Sequence, residues 1–187
     1  MTGYLLLILL TNFVSALNLM SSNCFCTTVP CPTSGTNYLT IGGGGTGYYD
    51  YSLHNCIPVV ISARVRIGIN NMDKGTDTTT CTQNYARSLD DDGVQDCDAG
   101  HILANRLGGP GNQPINIFPQ DLSINRGAFA QFEDSIYTCI TSKGAEYADL
   151  SWSFDYSSTT KTKPNSVKYD VKYTCGSCVS SSKTFTN

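Results

Sequence analysis

The chain carries little charge. Asp, Glu, Lys and Arg make up 14% of its 187 residues, and the formal net charge is −3. Tight coating of nucleic acid needs a basic surface, because phosphate neutralisation drives such binding. That class is disfavoured, whereas an enzyme with a local basic groove, which must release its product, is not. Long apolar runs are also lacking. Beyond the N-terminal segment no stretch approaches the roughly 20 residues that cross a bilayer, so no membrane partner is expected. Histidine is limited to His54 and His101, which excludes a three-histidine zinc centre within one chain. There is no Asn-x-Ser/Thr sequon, and N-glycosylation is not expected.

Cysteine, by contrast, is abundant. Residues 1–16 have the form of a secretory signal peptide, with an apolar run from Tyr4 to Leu10 and Val14-Ser15-Ala16 as a small-residue cleavage pattern. Nine cysteines follow it: Cys24, Cys26, Cys31, Cys56, Cys81, Cys97, Cys139, Cys175 and Cys178. In an exported, extracellular chain this density implies disulfides. The odd count leaves one thiol free or bonded to another chain, which would give a disulfide-linked dimer. Cys175 and Cys178 have the spacing of half a zinc site, but no second such pair lies at a suitable distance. They also follow a strand pattern rather than opening a helix, which disfavours a redox motif.

The length favours one domain with a substantial core. Residues 17–47 read as a loop-like, disulfide-pinned arm rich in Cys and Gly, with Gly42 to Gly45 as a flexible turn. The remainder, 48–187, reads as the principal domain. Residues 57–69 are rich in Val and Ile and read as a strand. Residues 70–93 are polar and read as a long loop, with Asp90, Asp91 and Asp92 as a solvated turn lacking calcium-loop spacing. Residues 101–107 are a candidate short strand, ended by Gly108-Gly109-Pro110-Gly111. From Ile124 the period changes: Ala128, Phe132, Ile136 and Cys139 follow helical spacing, with Phe129 and Ile140 widening the stripe. Asp121 or Ser123 can cap this helix. Leu150-Trp152-Phe154-Tyr156 and Val167-Tyr169-Val171-Tyr173 alternate as strands do. Strands, a motif loop, one principal helix and further strands make an α+β pattern.

The chemistry concentrates in three segments: Asp98-Ala99-Gly100-His101, Asn116-Ile117-Phe118-Pro119-Gln120, and the run from Asn125-Arg126-Gly127-Ala128-Phe129 to Glu133. Phosphodiester hydrolysis needs water deprotonated, charge on phosphorus neutralised and the leaving oxygen stabilised. A neutral imidazole can do the first near pH 7. A divalent ion can do the other two. Magnesium keeps most of its waters, so one or two protein oxygens suffice to hold it. On a straight helix Asn125 and Glu133 would be separated by about 12 Å of rise. That favours Asn125 as a direct ligand and Glu133 as a group acting through water. His54, two residues from Cys56, reads as structural.

The three segments, in this order and spacing, resemble those of the DNA/RNA non-specific endonucleases, over about residues 96–140. The resemblance implies a ββα-metal fold; joined to the strand, helix and cysteine readings above, the expected architecture is a ββα-metal core with an antiparallel sheet, one principal helix and disulfide-stapled loops. It implies His101 as general base, Asn125 as the magnesium ligand, with manganese as a substitute ion, and Glu133 as the holder of the ion's waters. Asn116 would support the catalytic group. Arg106 and Arg126, beside these residues, are candidate phosphate contacts on a DNA or RNA substrate, or else solvated surface charges. Ala99 stands where the family's motif has arginine, which bears on substrate positioning. The reading is a secreted endonuclease of little sequence specificity. Its alternative is a disulfide-rich binding or toxin-like protein on a weakened nuclease fold. Geometry separates the two: the first requires His101 and Asn125 to face one open cleft lined by Arg106 or Arg126, and burial of His101 against apolar side chains favours the second.

Overall fold

The structure is a computed structural model and describes residues 34–92 and 97–187. The signal-peptide reading and most of the N-terminal arm lie outside the described residues. One of the two central strands is β3 (Ile57–Gly68), where the predicted strand lies. Its Ala63, Val65 and Ile67 are buried while Arg64 and Arg66 between them are exposed. This period of two buries one face and wets the other, as an antiparallel sheet with one covered face requires. β6 (Tyr147–Asp155) and β7 (Ser166–Thr174) repeat the pattern where the sequence alternates. With β1 (Gly35–Thr40), β2 (Thr46–His54) and β8 (Ser181–Thr186) they form one antiparallel sheet of order β1-β2-β3-β6-β7-β8.

β1 and the following turn correct the expectation of a loop-like arm through residue 47. Residues 35–40 are an edge strand, and the glycine turn is built rather than loose. Asn71 Nδ2 donates to the Gly42 and Gly44 carbonyls at 2.8 and 2.7 Å. Gly43, Gly44 and Gly45 all have positive φ, the conformation glycine enters without penalty.

Gly68 at the end of β3 pairs with Tyr147 at the start of β6. The 78 residues between them, 69–146, therefore leave and re-enter the sheet at one place. They hold a helix α1 (Thr80–Leu89), a two-stranded antiparallel sheet of β4 (Asp98–His101) and β5 (Ile117–Gln120), and a helix α2 (Ala130–Ser142). The predicted strand from His101 to Leu107 instead ends at His101. α1 stands within the stretch, residues 70–93, read as a long loop. It is capped by Thr79, whose side chain accepts from the Thr82 amide, and it buries Thr82, Ala86 and Leu89. α2 begins later than the apolar period suggests, and Asp121 caps the preceding helical turn (Leu122–Ile124).

The insertion packs on the sheet's apolar face. Ile102, Leu107, Phe118, Phe129 and Ile136 join Val65, Ile67, Leu150, Trp152 and Tyr169 in one core. Cys139 of α2 is bonded to Cys178 in the β7–β8 connection, across 39 residues, a closure worth about 4 kcal/mol on loop entropy. Cys56 and Cys81 are also disulfide-bonded. Cys97, buried, and Cys175, exposed, are free.

The acidic turn is not solvated as expected. Lys163 Nζ lies 3.0 Å from Asp90 and 2.5 Å from Asp92, and Asp91 accepts from the Thr162 and Lys163 amides at 3.0 and 3.2 Å. His54 is structural: it is buried, contacts the Lys161 carbonyl through Nδ1, and packs edge-on against Tyr156.

Candidate active site

His101 closes β4, and its ring is half-buried. Nε2 lies 3.1 Å from the Thr76 carbonyl. A carbonyl oxygen only accepts, so Nε2 carries the proton and the neutral ring keeps its lone pair on Nδ1. Nδ1 is therefore the basic atom. The Thr76 carbonyl is held in turn by the Gly111 amide at 3.0 Å. A Cβ at Gly111 would stand 2.4 Å from His101 Nε2 and 2.5 Å from the Thr76 oxygen. Only glycine allows this close approach. Burial pushes the imidazole pKa below its ordinary 6.5, with the Thr76 carbonyl and the charge of Asp77 opposing the shift incompletely.

Asn125 opens a π-helical turn, Asn125–Phe129, that separates Leu122–Ile124 from α2. Gly127 within it has φ −111° and ψ −105°, outside helical space. Such turns reorient the side chains they carry. The Asn125 amide donates through Nδ2 to Asp98 Oδ2 at 2.9 Å. Arg126 adds a bidentate pair, Nε and Nη2 each 2.8 Å from the same carboxylate. The Arg126 guanidinium, aided by Asn125, holds the Asp98 pKa below the usual carboxylate range against the effect of burial. Because a carboxylate accepts only, the amide nitrogen must face Asp98. Asn125 Oδ1 is left without a protein partner among the described residues.

Glu133 lies in the first turn of α2. Its Oε1 is sealed from solvent and has no hydrogen-bond partner among the described residues. Burial raises its pKa well above the ordinary range; Asp134 adds to the shift and Arg106 opposes it. An orphaned carboxylate oxygen of this kind is costly unless something outside the protein chain satisfies it.

His101, Asn125, Glu133 and Arg106 together line a cavity of about 270 Å³. The straight-helix separation of Asn125 from Glu133 does not apply, because the π turn intervenes. A second, polar depression of about 550 Å³ shares His101 and Asn125 with the first and is bordered by Asp98, Ala99 and Arg87. Asn116 lines neither. It is fully buried, with Oδ1 accepting from Tyr49 Oη and the Leu103 amide, both at 2.9 Å, and Nδ2 donating to the Leu103 carbonyl at 3.0 Å. It thus clamps the turn after His101 to β2. Arg106 is paired with Asp134 and lies 3.8 Å over the Tyr137 ring. Arg126 is committed to Asp98.

Sequence reasoning missed Thr76, Gly111 and Arg87. Thr76 acts through its backbone, which leaves no signature in residue type. Gly111 was visible only as a breaker. Arg87 lay in a segment read as loop, although Thr79 with Thr82, Ala86 and Leu89 gives a capped i, i+4, i+7 pattern.

Comparison with known proteins gives a family and a fold. Residues 59–175 match the DNA/RNA non-specific endonuclease family. A relative from Dickeya dadantii (strain 3937), named Probable deoxyribonuclease RhsA, is 37% identical over 118 residues, covering 63% of this chain. The chain spans 8% of that relative's length. Among solved structures, NucA from Streptococcus agalactiae without metal superposes with a TM-score of 0.54 at 11% identity, over 91% of this chain and 77% of that one. Its magnesium-bound form gives 0.52 at 10%, over 91% and 78%. At these identities the likeness is one of fold. The length of the family match and the motifs within it establish that the chain belongs to the DNA/RNA non-specific endonuclease family.

Proposed function

We propose that the protein is a secreted, magnesium-dependent endonuclease that hydrolyses phosphodiester bonds of DNA, RNA or both with little sequence specificity. The observation that carries this reading is the convergence of His101, Asn125 and Glu133 on one small cavity. The name of the Dickeya dadantii relative supports DNA as a substrate, and the magnesium-bound NucA supports that ion. The disulfides favour an oxidising, extracellular setting.

The residues suit a hard cation. Among the described residues no three His, Cys, Asp or Glu side chains converge on a metal-sized site. An ion here would rest on an amide oxygen and its own water shell, which is magnesium's habit. Asn125 Oδ1, freed by the bond from Nδ2 to Asp98, would be the direct ligand. Glu133 Oε1, orphaned in the protein, would accept from the ion's water. When bound, the ion would neutralise charge on the phosphoryl oxygens and on the leaving oxygen. Manganese accepts the same oxygen donors and would substitute.

His101 Nδ1 takes a proton from the attacking water, the Thr76 carbonyl holding the opposite edge of the ring so that the lone pair stays available. Asp98 fixes Asn125, and Asn116 positions the His101 turn through Leu103. The shared polar cleft favours catalysis over the binding-only alternative, which would bury His101 against apolar side chains.

An in-gel nuclease assay tests the proposal. Purified protein should degrade nucleic acid with magnesium and stop with EDTA, and His101→Ala should lose about 10²–10⁴-fold in rate while remaining folded. Full activity in His101→Ala would overturn the mechanism.

A further inference from the structure

The chain has five arginines. Four are ion-paired: Arg64 with Asp50, Arg66 with Asp149, Arg106 with Asp134 and Arg126 with Asp98. Arg87 has no carboxylate partner among the described residues. Among the described residues its one side-chain hydrogen bond runs from Nη1 to Asn84 Oδ1 at 3.1 Å, one turn back on the same helix. Arg87 is exposed on α1 and borders the polar depression of about 550 Å³ that contains His101 and Asn125.

We infer that Arg87 is a substrate-binding residue, whose guanidinium takes a phosphate of the nucleic-acid strand flanking the bond to be cut. The inference rests on the nuclease reading and adds a residue to it. A guanidinium carries five donors in a planar fork that matches phosphate oxygens, and among the described residues most of those on Arg87 are uncommitted. The two arginines singled out by the sequence are differently placed. Arg126 spends Nε and Nη2 on Asp98, and Arg106 is held between Asp134 and Tyr137. Each would give up a partner to bind phosphate. β4 offers no cation to the depression, because position 99 presents only a methyl group there. The carboxylates bordering the same depression do not compete for Arg87: Asp98 is taken by Arg126, and Asp77 accepts from Asn105 Nδ2 at 2.6 Å. A contact of this kind reads no base, in keeping with little sequence specificity.

The test is steady-state cleavage of a long polynucleotide at several salt concentrations, by wild type, Arg87→Ala, Arg87→Lys and the double variant Arg87→Ala/Ala99→Arg. Arg87→Ala should raise KM about tenfold, leave kcat within about twofold, and flatten the log–log salt dependence of kcat/KM by about one unit. Arg87→Lys should keep the salt slope. The double variant should recover it, because position 99 opens on the same depression. Thermal melting checks that each variant is folded, and Arg87→Gln replaces any that is not. An unchanged KM and salt slope in Arg87→Ala overturns the inference, as does a loss confined to kcat. An inactive wild type overturns the nuclease reading instead.

Discussion

The six-stranded sheet and the insertion between β3 and β6 are held together by different means. In the sheet, β3 and β6 stay in register from Ser62 opposite Ser153 to Gly68 opposite Tyr147, and β6 pairs with β7 along its whole length. Beneath that ladder lies an apolar layer in which the Trp152 and Tyr169 rings pack at a 40° tilt with centroids 4.6 Å apart. The insertion has only short strands, and single polar bonds join its loops. The Asp73 amide donates to the Arg106 carbonyl at 2.8 Å, Thr76 to Gly109 at 3.0 Å, and Gly111 to Thr76 at 3.0 Å. Apolar contact spreads a substitution's cost over many neighbours, whereas a chain of specific bonds transmits a displacement to its end. The end of this chain is His101. The sheet should therefore govern stability and the insertion should govern turnover, with limited exchange between them.

The largest expected effect falls on the insertion. His101→Ala should remove catalysis by the factor given above while its melting temperature stays near that of wild type. On the sheet the converse is expected. Trp152 is 2% exposed, and Trp152→Ala should cost about 3–5 kcal/mol. Denaturant titration measures this, and the fraction that remains folded should keep its kcat. If Trp152→Ala lowered kcat in fully folded protein, the division between sheet and insertion would fail.

The same division decided what could be read from the sequence. β6 and β7 were legible because half-buried antiparallel strands impose strict alternation, and the core stripe of α2 was legible through Ile136, Cys139 and Ile140. β5 was not: its four residues are all buried, they show no alternation, and they include Pro119. β1 opens on Gly35-Thr36-Asn37, has only Tyr38 and Leu39 as apolar residues, and gains its order from pairing with β2 more than from its own propensity. α1 buries only one large apolar side chain, Leu89. The chemical groups of the site were legible as a motif, but their wiring was not. Asp98 is bonded to Asn125 and Arg126 across 27 and 28 residues, and such a pairing has no local signature. Arg106 and Arg126 were visible as charges, while the carboxylates that occupy them became visible only in three dimensions.

Gly111→Ala sharpens the comparison at an intermediate scale. The added methyl would meet His101 Nε2 and the Thr76 oxygen at distances no relaxed Cβ occupies. Overpacking of this kind costs about 1–3 kcal/mol. Rotation of the imidazole relieves only the contact with Nε2, and the backbone at Thr76 and Asp77 must also shift; either movement breaks the bond from Nε2 to the Thr76 carbonyl and releases the tautomer. Activity should thus fall further than stability does, seen as a drop in kcat in protein that still melts cooperatively. Equal losses in both would mean that Gly111 serves packing alone.

The smallest effect is the pH dependence. The folded His101 pKa lies below 6.5 because burial disfavours the charged ring. The base is therefore more than about three-quarters neutral at pH 7. On acidification kcat/KM should reach half its plateau only below pH 6.5, and beneath that point its fall should approach tenfold per pH unit. A bound cation would move the decline further in the same direction. Stability carries the same sign. The unfolded chain binds the proton more readily than the folded one, so His101 contributes stability that is fully present above pH 6.5 and is lost as pH falls through the lower folded value. Between pH 7 and 5 the melting temperature of wild type should consequently fall more steeply than that of His101→Ala. An acidic limb centred above pH 6.5, or parallel melting curves for the two proteins, would show that the imidazole is not held neutral by its place between Thr76 and Gly111.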